Sequence, residues 1–225
     1  MTNAPRVSWL PAAGRHLAAR WWLKLPGITI GMVLFFVAYF HLLHHPIRPP
    51  IVMPLTPVDH WVGFSPVALP LYLSLWVYVS LAPGLTANPG QLRSWFLAAL
   101  ALSVCGLGLF YAWPTAVPPF EIAWAQDATF AFLKNTDASG NACPSLHVAF
   151  AVLSACVIAR RLRTLGAGAV PQAINLLWCA GITWSTLATR QHVFLDAVAG
   201  AALGSLFGAP FLRGWRVSPA APPSE

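Results

Sequence analysis

Two short stretches hold residues whose types and spacing fit chemistry. In Thr189-Arg190-Gln191-His192-Val193-Phe194-Leu195-Asp196 an Arg, a His and an Asp are packed into a run otherwise flanked by apolar residues. On a helix His192 and Asp196 lie one turn apart on one face. The carboxylate can then accept a hydrogen bond from one imidazole nitrogen and leave the other free, which orients a nucleophile or base. In Asn141-Ala142-Cys143-Pro144-Ser145-Leu146-His147 a polar loop turns into a helix, with Pro144 expected near the first helical position. The N–H groups of Ser145, Leu146 and His147 would point out of that helix end unpaired. Unpaired donors and the positive end of the helix dipole make an anion site, most naturally for phosphate.

Each stretch also has a bland reading. Ser145 can simply cap its helix with His147 at the membrane interface, while Arg190 snorkels and His192 hides its charge on Asp196. Against this, an ionisable residue near the centre of a span costs about 2.5–3.5 kcal/mol, so such residues point to function by default. Taken together the residues fit phosphoryl transfer through a phosphohistidine. His192 attacks phosphorus, and Asp196 holds its tautomer and stabilises the developing cation. His147 protonates the leaving oxygen and then deprotonates the incoming water or alcohol. Arg190 and the donors of Ser145 and Leu146 hold the equatorial oxygens, and neither metal nor cofactor is called for.

The elements that must position these residues follow from composition. The 225 residues are 57% hydrophobic and 8% charged, with mean hydropathy +0.64, which cannot make an ordinary soluble surface. The expected fold is an all-α integral membrane protein, a bundle of six transmembrane helices. Residues 1–25 form a basic, tryptophan-rich interfacial segment. The membrane domain covers 26–212, and 213–225 form a tail. Apolar runs at about 28–43, 67–81, 92–113, 144–158, 173–187 and 191–212 are the six spans. The run at 28–43 is long for a signal peptide and lacks a small-x-small cleavage site at its end, so it is read as retained.

Between the spans, prolines at 46, 49, 50, 54 and 57 force an extended or interfacial connection, in which Asp59 is placed to cap a short turn. The loop at 114–143 is long enough to be functional, and its aromatic middle, 120–133, suits an amphipathic surface helix. Most basic residues fall on one side of the six spans, leaving Arg48, Lys134 and Arg190 on the other. The basic side is therefore expected to be cytoplasmic, with both termini there. His147, Arg190, His192 and Asp196 then share the opposite face. The implied location is a bacterial inner membrane, with the site open to the periplasm.

Other features carry less. The net charge of +7 is scattered between apolar runs with no continuous basic stripe, which argues against nucleic acid as a partner. His41, His44 and His45 have the spacing of a metal site but no accompanying carboxylate, and a polar helix rim is the better reading. Cys105, Cys156 and Cys179 lie in apolar runs and Cys143 at a loop edge, so no disulfide framework follows.

These residues resemble the type 2 phosphatidic acid phosphatase superfamily of membrane lipid phosphatases and phosphotransferases. Its second motif, Pro-Ser-Gly-His, is similar to Pro144-Ser145-Leu146-His147. Its third, Ser-Arg-x5-His-x3-Asp, is similar to His192 and Asp196 with Ser185 in register, followed by the small residues Ala199, Gly200 and Gly204. The likeness covers about 55–208 and implies a lipid phosphate as substrate. Leu146 replaces the usual glycine, as in the branch containing inositol phosphorylceramide synthase. Thr186 stands in place of the third-motif arginine. The first motif, Lys-x6-Arg-Pro, is not evident; the best register puts Tyr111 and Pro118 at its basic positions, which leaves Arg190, Arg48 or Lys134 as substitutes.

The leading expectation is a lipid phosphatase, with head-group transfer as the alternative. Two other classes stay open. An acyl hydrolase would use Ser145 as nucleophile, but lacks a Gly-x-Ser-x-Gly elbow. A non-catalytic lipid-binding protein would fit the missing first motif.

Overall fold

A computed structural model describes residues 9–120 and 140–213. Over these the chain is mostly helical, with α1 (Trp9–Ala18), α2 (Trp21–His44), α3 (Pro57–Val62), α4 (Leu69–Leu73), α5 (Leu75–Gly84) and α6 (Pro89–Ala112) in the first part. The second part holds α7 (Leu146–Thr164), α8 (Ala169–Ala188) and α9 (Phe194–Leu212). Two-residue strands β1 (Ile51–Val52) and β2 (Thr115–Ala116) pair in parallel, a small departure from the all-α expectation. All but the first residue of the amphipathic helix expected at 120–133, together with Lys134 and most of the tail, lie outside the described residues.

Four segments are long and apolar enough to cross a membrane: α2, the stretch Pro66–Gly84 that contains α4 and α5, α6, and α9. This is the character of a membrane protein, and the outer surface agrees. Leu34, Val37, Leu177 and Leu206 are each about two-thirds exposed, an apolar exterior suited to lipid. The expected fourth and fifth spans, α7 and α8, have 19 and 20 residues but are not among those four. Several of their polar residues face inward. Asn175 of α8 donates to the Ala155 carbonyl of α7 and accepts from the Tyr78 hydroxyl of α5, and Gln172 donates to Ala159. α7 is packed by α5, α6, α8 and α9, so less of its surface has to be apolar for lipid.

Two boundaries differ from the expected ones for identifiable reasons. The first span begins at Trp21 rather than 28, because the Lys24 ammonium inside its first turns is buried on three carbonyls, of His16, Gly84 and Thr86. Arg20, with φ 53°, makes the corner between α1 and α2. The run at 67–81 is broken at Ser74, whose hydroxyl donates to Leu71 and accepts from the Trp178 indole.

The closest helix pair is α7 with α9. Gly200, Gly204 and Gly208 form a stripe along α9, and α7 lies directly on it. A Cβ at Gly200 would strike the Ser145 carbonyl, one at Gly204 the Ala149 carbonyl, and one at Gly208 would come within 2.8 Å of Cys156 Sγ. Small residues let two backbones approach in this way, and here they fix the start of α7 against the start of α9.

Candidate active site

α7 starts two residues later than expected, at Leu146. Ser145 is its N-cap, in extended conformation, and its hydroxyl accepts from the Val148 N–H at 3.3 Å. Pro144 precedes the cap through a cis peptide bond. The Ser145 N–H is not free for an anion, because it donates to the Asp196 carbonyl at 2.9 Å and so ties the two helix starts together. The donors left at this helix end are the N–H groups of Leu146 and His147, which have no acceptor among the described residues. The Leu146 side chain itself is in the core, and there is room for it because residue 106 on α6 is glycine. Only its backbone faces the polar end.

His147 is held by α4. Its Nε2 lies 3.1 Å from the Tyr72 carbonyl, and its ring stacks on the Tyr72 ring at 4.1 Å with a 14° tilt. A carbonyl can only accept, so Nε2 carries the proton in this contact and Nδ1 is the free nitrogen. Tyr72 was missed in the sequence, where it is one aromatic among many in an apolar run.

His192 is not on a helix. α9 begins at Phe194 with Val193 as N-cap, so His192 and Asp196 face each other across the helix start rather than within a turn. Its Nδ1 is 3.1 Å from the Ala142 carbonyl and 3.6 Å from Asp196 Oδ2. The expected hydrogen bond to Asp196 is therefore replaced by one to Ala142, with the carboxylate just beyond bonding distance. The tautomer is fixed all the same: Nδ1 donates and Nε2 is free. His147 and His192 lie within charge–charge range of each other.

Asp196 is wholly buried, and its Oδ2 accepts from the Val193 N–H at 3.0 Å. This is the reaching-back half of a capping box. Its Oδ1 has no partner among the described residues.

Arg190 is in left-handed conformation at φ 56°. Nη1 donates to the Asp59 carbonyl at 2.8 Å, and the guanidinium lies 4.7 Å over the Phe120 ring. Burial lowers its pKa and the neighbouring Asp59 opposes that shift. Arg48 donates to the Ala112 carbonyl and is exposed.

Asp59 is not the cap it was expected to be: Thr56 is the N-cap of α3 and Asp59 its N3 residue. Its Oδ2 accepts from the Thr56 N–H and hydroxyl, both at 2.7 Å, and its Oδ1 accepts from the Phe194 N–H at 2.7 Å. One buried carboxylate therefore joins α3 to the first residue of α9. The signal for it was present in Thr56-x-x-Asp59, the spacing of a capping box. The Cys143 thiol, pushed up to about 11 by burial and by the Asp196 charge, stays neutral and is no nucleophile. His44 and His45 bond the carbonyls of Phe40 and His41 on their own helix.

An apolar helical bundle with paired helix starts and two ring-oriented histidines at one end defines a class of membrane protein that concentrates its polar groups at a single face. The chain belongs to the PAP2 superfamily, whose sequence profile matches residues 67–209. That match contains His147, Arg190, His192 and Asp196 and leaves Asp59 and Arg48 outside it. Membership supports a phosphatase or phosphotransferase type of function. No curated protein and no solved structure matches the chain.

Proposed function

We propose that the protein is a lipid phosphatase that hydrolyses a lipid phosphate or diphosphate through a phosphohistidine. The observation that carries this reading is the free Nε2 of His192, with its ring locked by Ala142, at the same end as the N–H groups of Leu146 and His147. His192 Nε2 attacks phosphorus as the P–O bond to the lipid breaks, and the leaving oxygen takes a proton from the Nδ1 of a doubly protonated His147, whose Nε2–H stays on the Tyr72 carbonyl. Water then loses a proton to His147 and attacks the phosphoenzyme, which releases phosphate and His192. Asp196 stabilises the imidazolium electrostatically across 3.6 Å. Arg190 contributes positive charge from the rim, anchored by Asp59, and the backbone donors at the start of α7 take the phosphoryl oxygens.

The proposed topology has six spans, with α7 and α8 completing the four that meet the length and apolarity criteria. Both termini lie in the cytoplasm and the histidine end faces the extracytoplasmic leaflet. Head-group transfer is the second reading, favoured by Leu146 in place of the motif glycine; it differs only in a lipid alcohol replacing water. The test is phosphate release from phosphatidate, phosphatidylglycerophosphate and prenyl diphosphate, with chromatographic detection of any transfer product. Release from at least one, abolished in His192→Ala, supports hydrolysis. A new phosphodiester lipid without phosphate release selects transfer, and no turnover by either route refutes both.

A further inference from the structure

The end of the bundle opposite the histidines is basic. Lys24 ties together α1, α2 and the α5–α6 connection there, and α7 runs toward it from its start beside Asp196. Arg20, Lys24, Arg93, Arg160, Arg161 and Arg163 gather at this end. Among the described residues the carboxylates are Asp59 and Asp196, both at the other end.

Two of the basic residues are buried, and the fold treats them oppositely. Lys24, 5% exposed, is satisfied by three carbonyls. Arg161, 8% exposed, buries its Nε with no acceptor among the described residues. The neighbouring charge of Arg160 is of like sign and adds repulsion. A buried guanidinium is tolerated when something of opposite charge meets its donors, and its planar fork matches phosphate oxygens. The indole N–H of Trp95, near the start of α6, and His16 Nδ1, at the end of α1, are also buried at this end without partners. The Arg161 Nε and the Trp95 indole are donors on two packed helices that an anion can meet.

We propose that the basic end binds a phosphate-bearing anion on Arg161, supplied by the headgroup of an acidic phospholipid or by free phosphate. Basic sites between helices at a membrane surface take such headgroups. This site is separate from the histidine end and does not depend on the reaction proposed there.

The test uses the full chain, delipidated in neutral detergent and titrated with phosphatidylglycerol, phosphatidylcholine or inorganic phosphate while thermal unfolding is followed. Phosphatidylglycerol should raise the unfolding temperature saturably in the wild type and in Arg163→Gln, which loses the same charge from an exposed position. The midpoint should shift to at least tenfold higher lipid in Arg161→Gln, and phosphatidylcholine should have no effect. Equal protection by inorganic phosphate assigns the site to the free anion, and weaker protection assigns it to the lipid. An unchanged midpoint in Arg161→Gln, or equal losses in both variants, overturns the proposal. Should Arg161→Gln fail to fold, native mass spectrometry of the wild type decides. One acidic phospholipid retained per chain against excess phosphatidylcholine supports the site, and none retained, or an unsaturable number, refutes it.

Discussion

The two ends of this bundle handle buried charge in opposite ways. At the histidine end the carboxylates Asp59 and Asp196 are enclosed by backbone N–H groups, and each closes a helix start by reaching back to its N-cap. At the basic end Lys24 is enclosed by carbonyls, whereas the Arg161 Nε is buried with no acceptor among the described residues. The first arrangement anchors each carboxylate to its own helix start and leaves Asp196 Oδ1 alone without a partner among the described residues, which suits a place where ring nitrogens must be held in one tautomer. The second is incomplete and suits a place where something from the membrane is received. Rigidity at one end rests on the glycine stripe of α9, since it sets the separation of the helix starts that carry Ser145 and Asp196.

The contrast can be broken from the histidine side first. Replacing His192 by Ala should lower turnover by about 10⁴-fold while the unfolding temperature changes little, because the nucleophile is lost but the capping carboxylates stay. Asp196→Asn should lower kcat by about 10²-fold with KM nearly unchanged. The loss is smaller than for a directly bonded pair, since Ala142 still fixes the His192 tautomer. A comparable rise in KM would make Asp196 a packing residue. Gly204→Val should destabilise the protein by about 1–3 kcal/mol or more, read as a lower unfolding temperature, by pushing α9 off the Ala149 carbonyl. Asp59→Asn should reduce turnover by about tenfold, equivalent to about 1.4 kcal/mol, since an amide must turn a donor toward either Thr56 or Phe194. Smallest is the effect of thiol reagents. With Cys143 near 11, about one thousandth of it is thiolate at pH 8, so alkylation there should be slow and should accelerate as pH rises toward 11, followed by mass spectrometry of the 143-containing peptide.

The histidine end was largely legible in the sequence because ionisable residues are rare in so apolar a chain, and His147, His192 and Asp196 therefore stood out. Their local geometry was less legible. Helical periodicity placed His192 and Asp196 on one turn, but a carboxylate three residues after Val193 is also an N3 capping residue, and that competing rule set where α9 begins. Asp59 was expected to cap a turn itself, whereas it is the N3 residue behind the cap Thr56, and its bond to Phe194 depends on a contact 135 residues along the chain. At the other end Lys24 and Arg161 look alike in sequence, each a basic residue near the end of an apolar run. Which of them finds carbonyls is decided by how α1 and α5 pack, and no local pattern carries that information.

The central claim is that His192 Nε2 forms a covalent bond to phosphorus, and rapid acid-free quench after mixing with ³²P-labelled phosphatidate tests it most directly. The account predicts a label that is stable to base, lost in acid, mapped to His192 and absent in His192→Ala, while His147→Ala slows both its formation and its loss. A base-labile label on Ser145, or turnover in His192→Ala equal to the wild type, would contradict it.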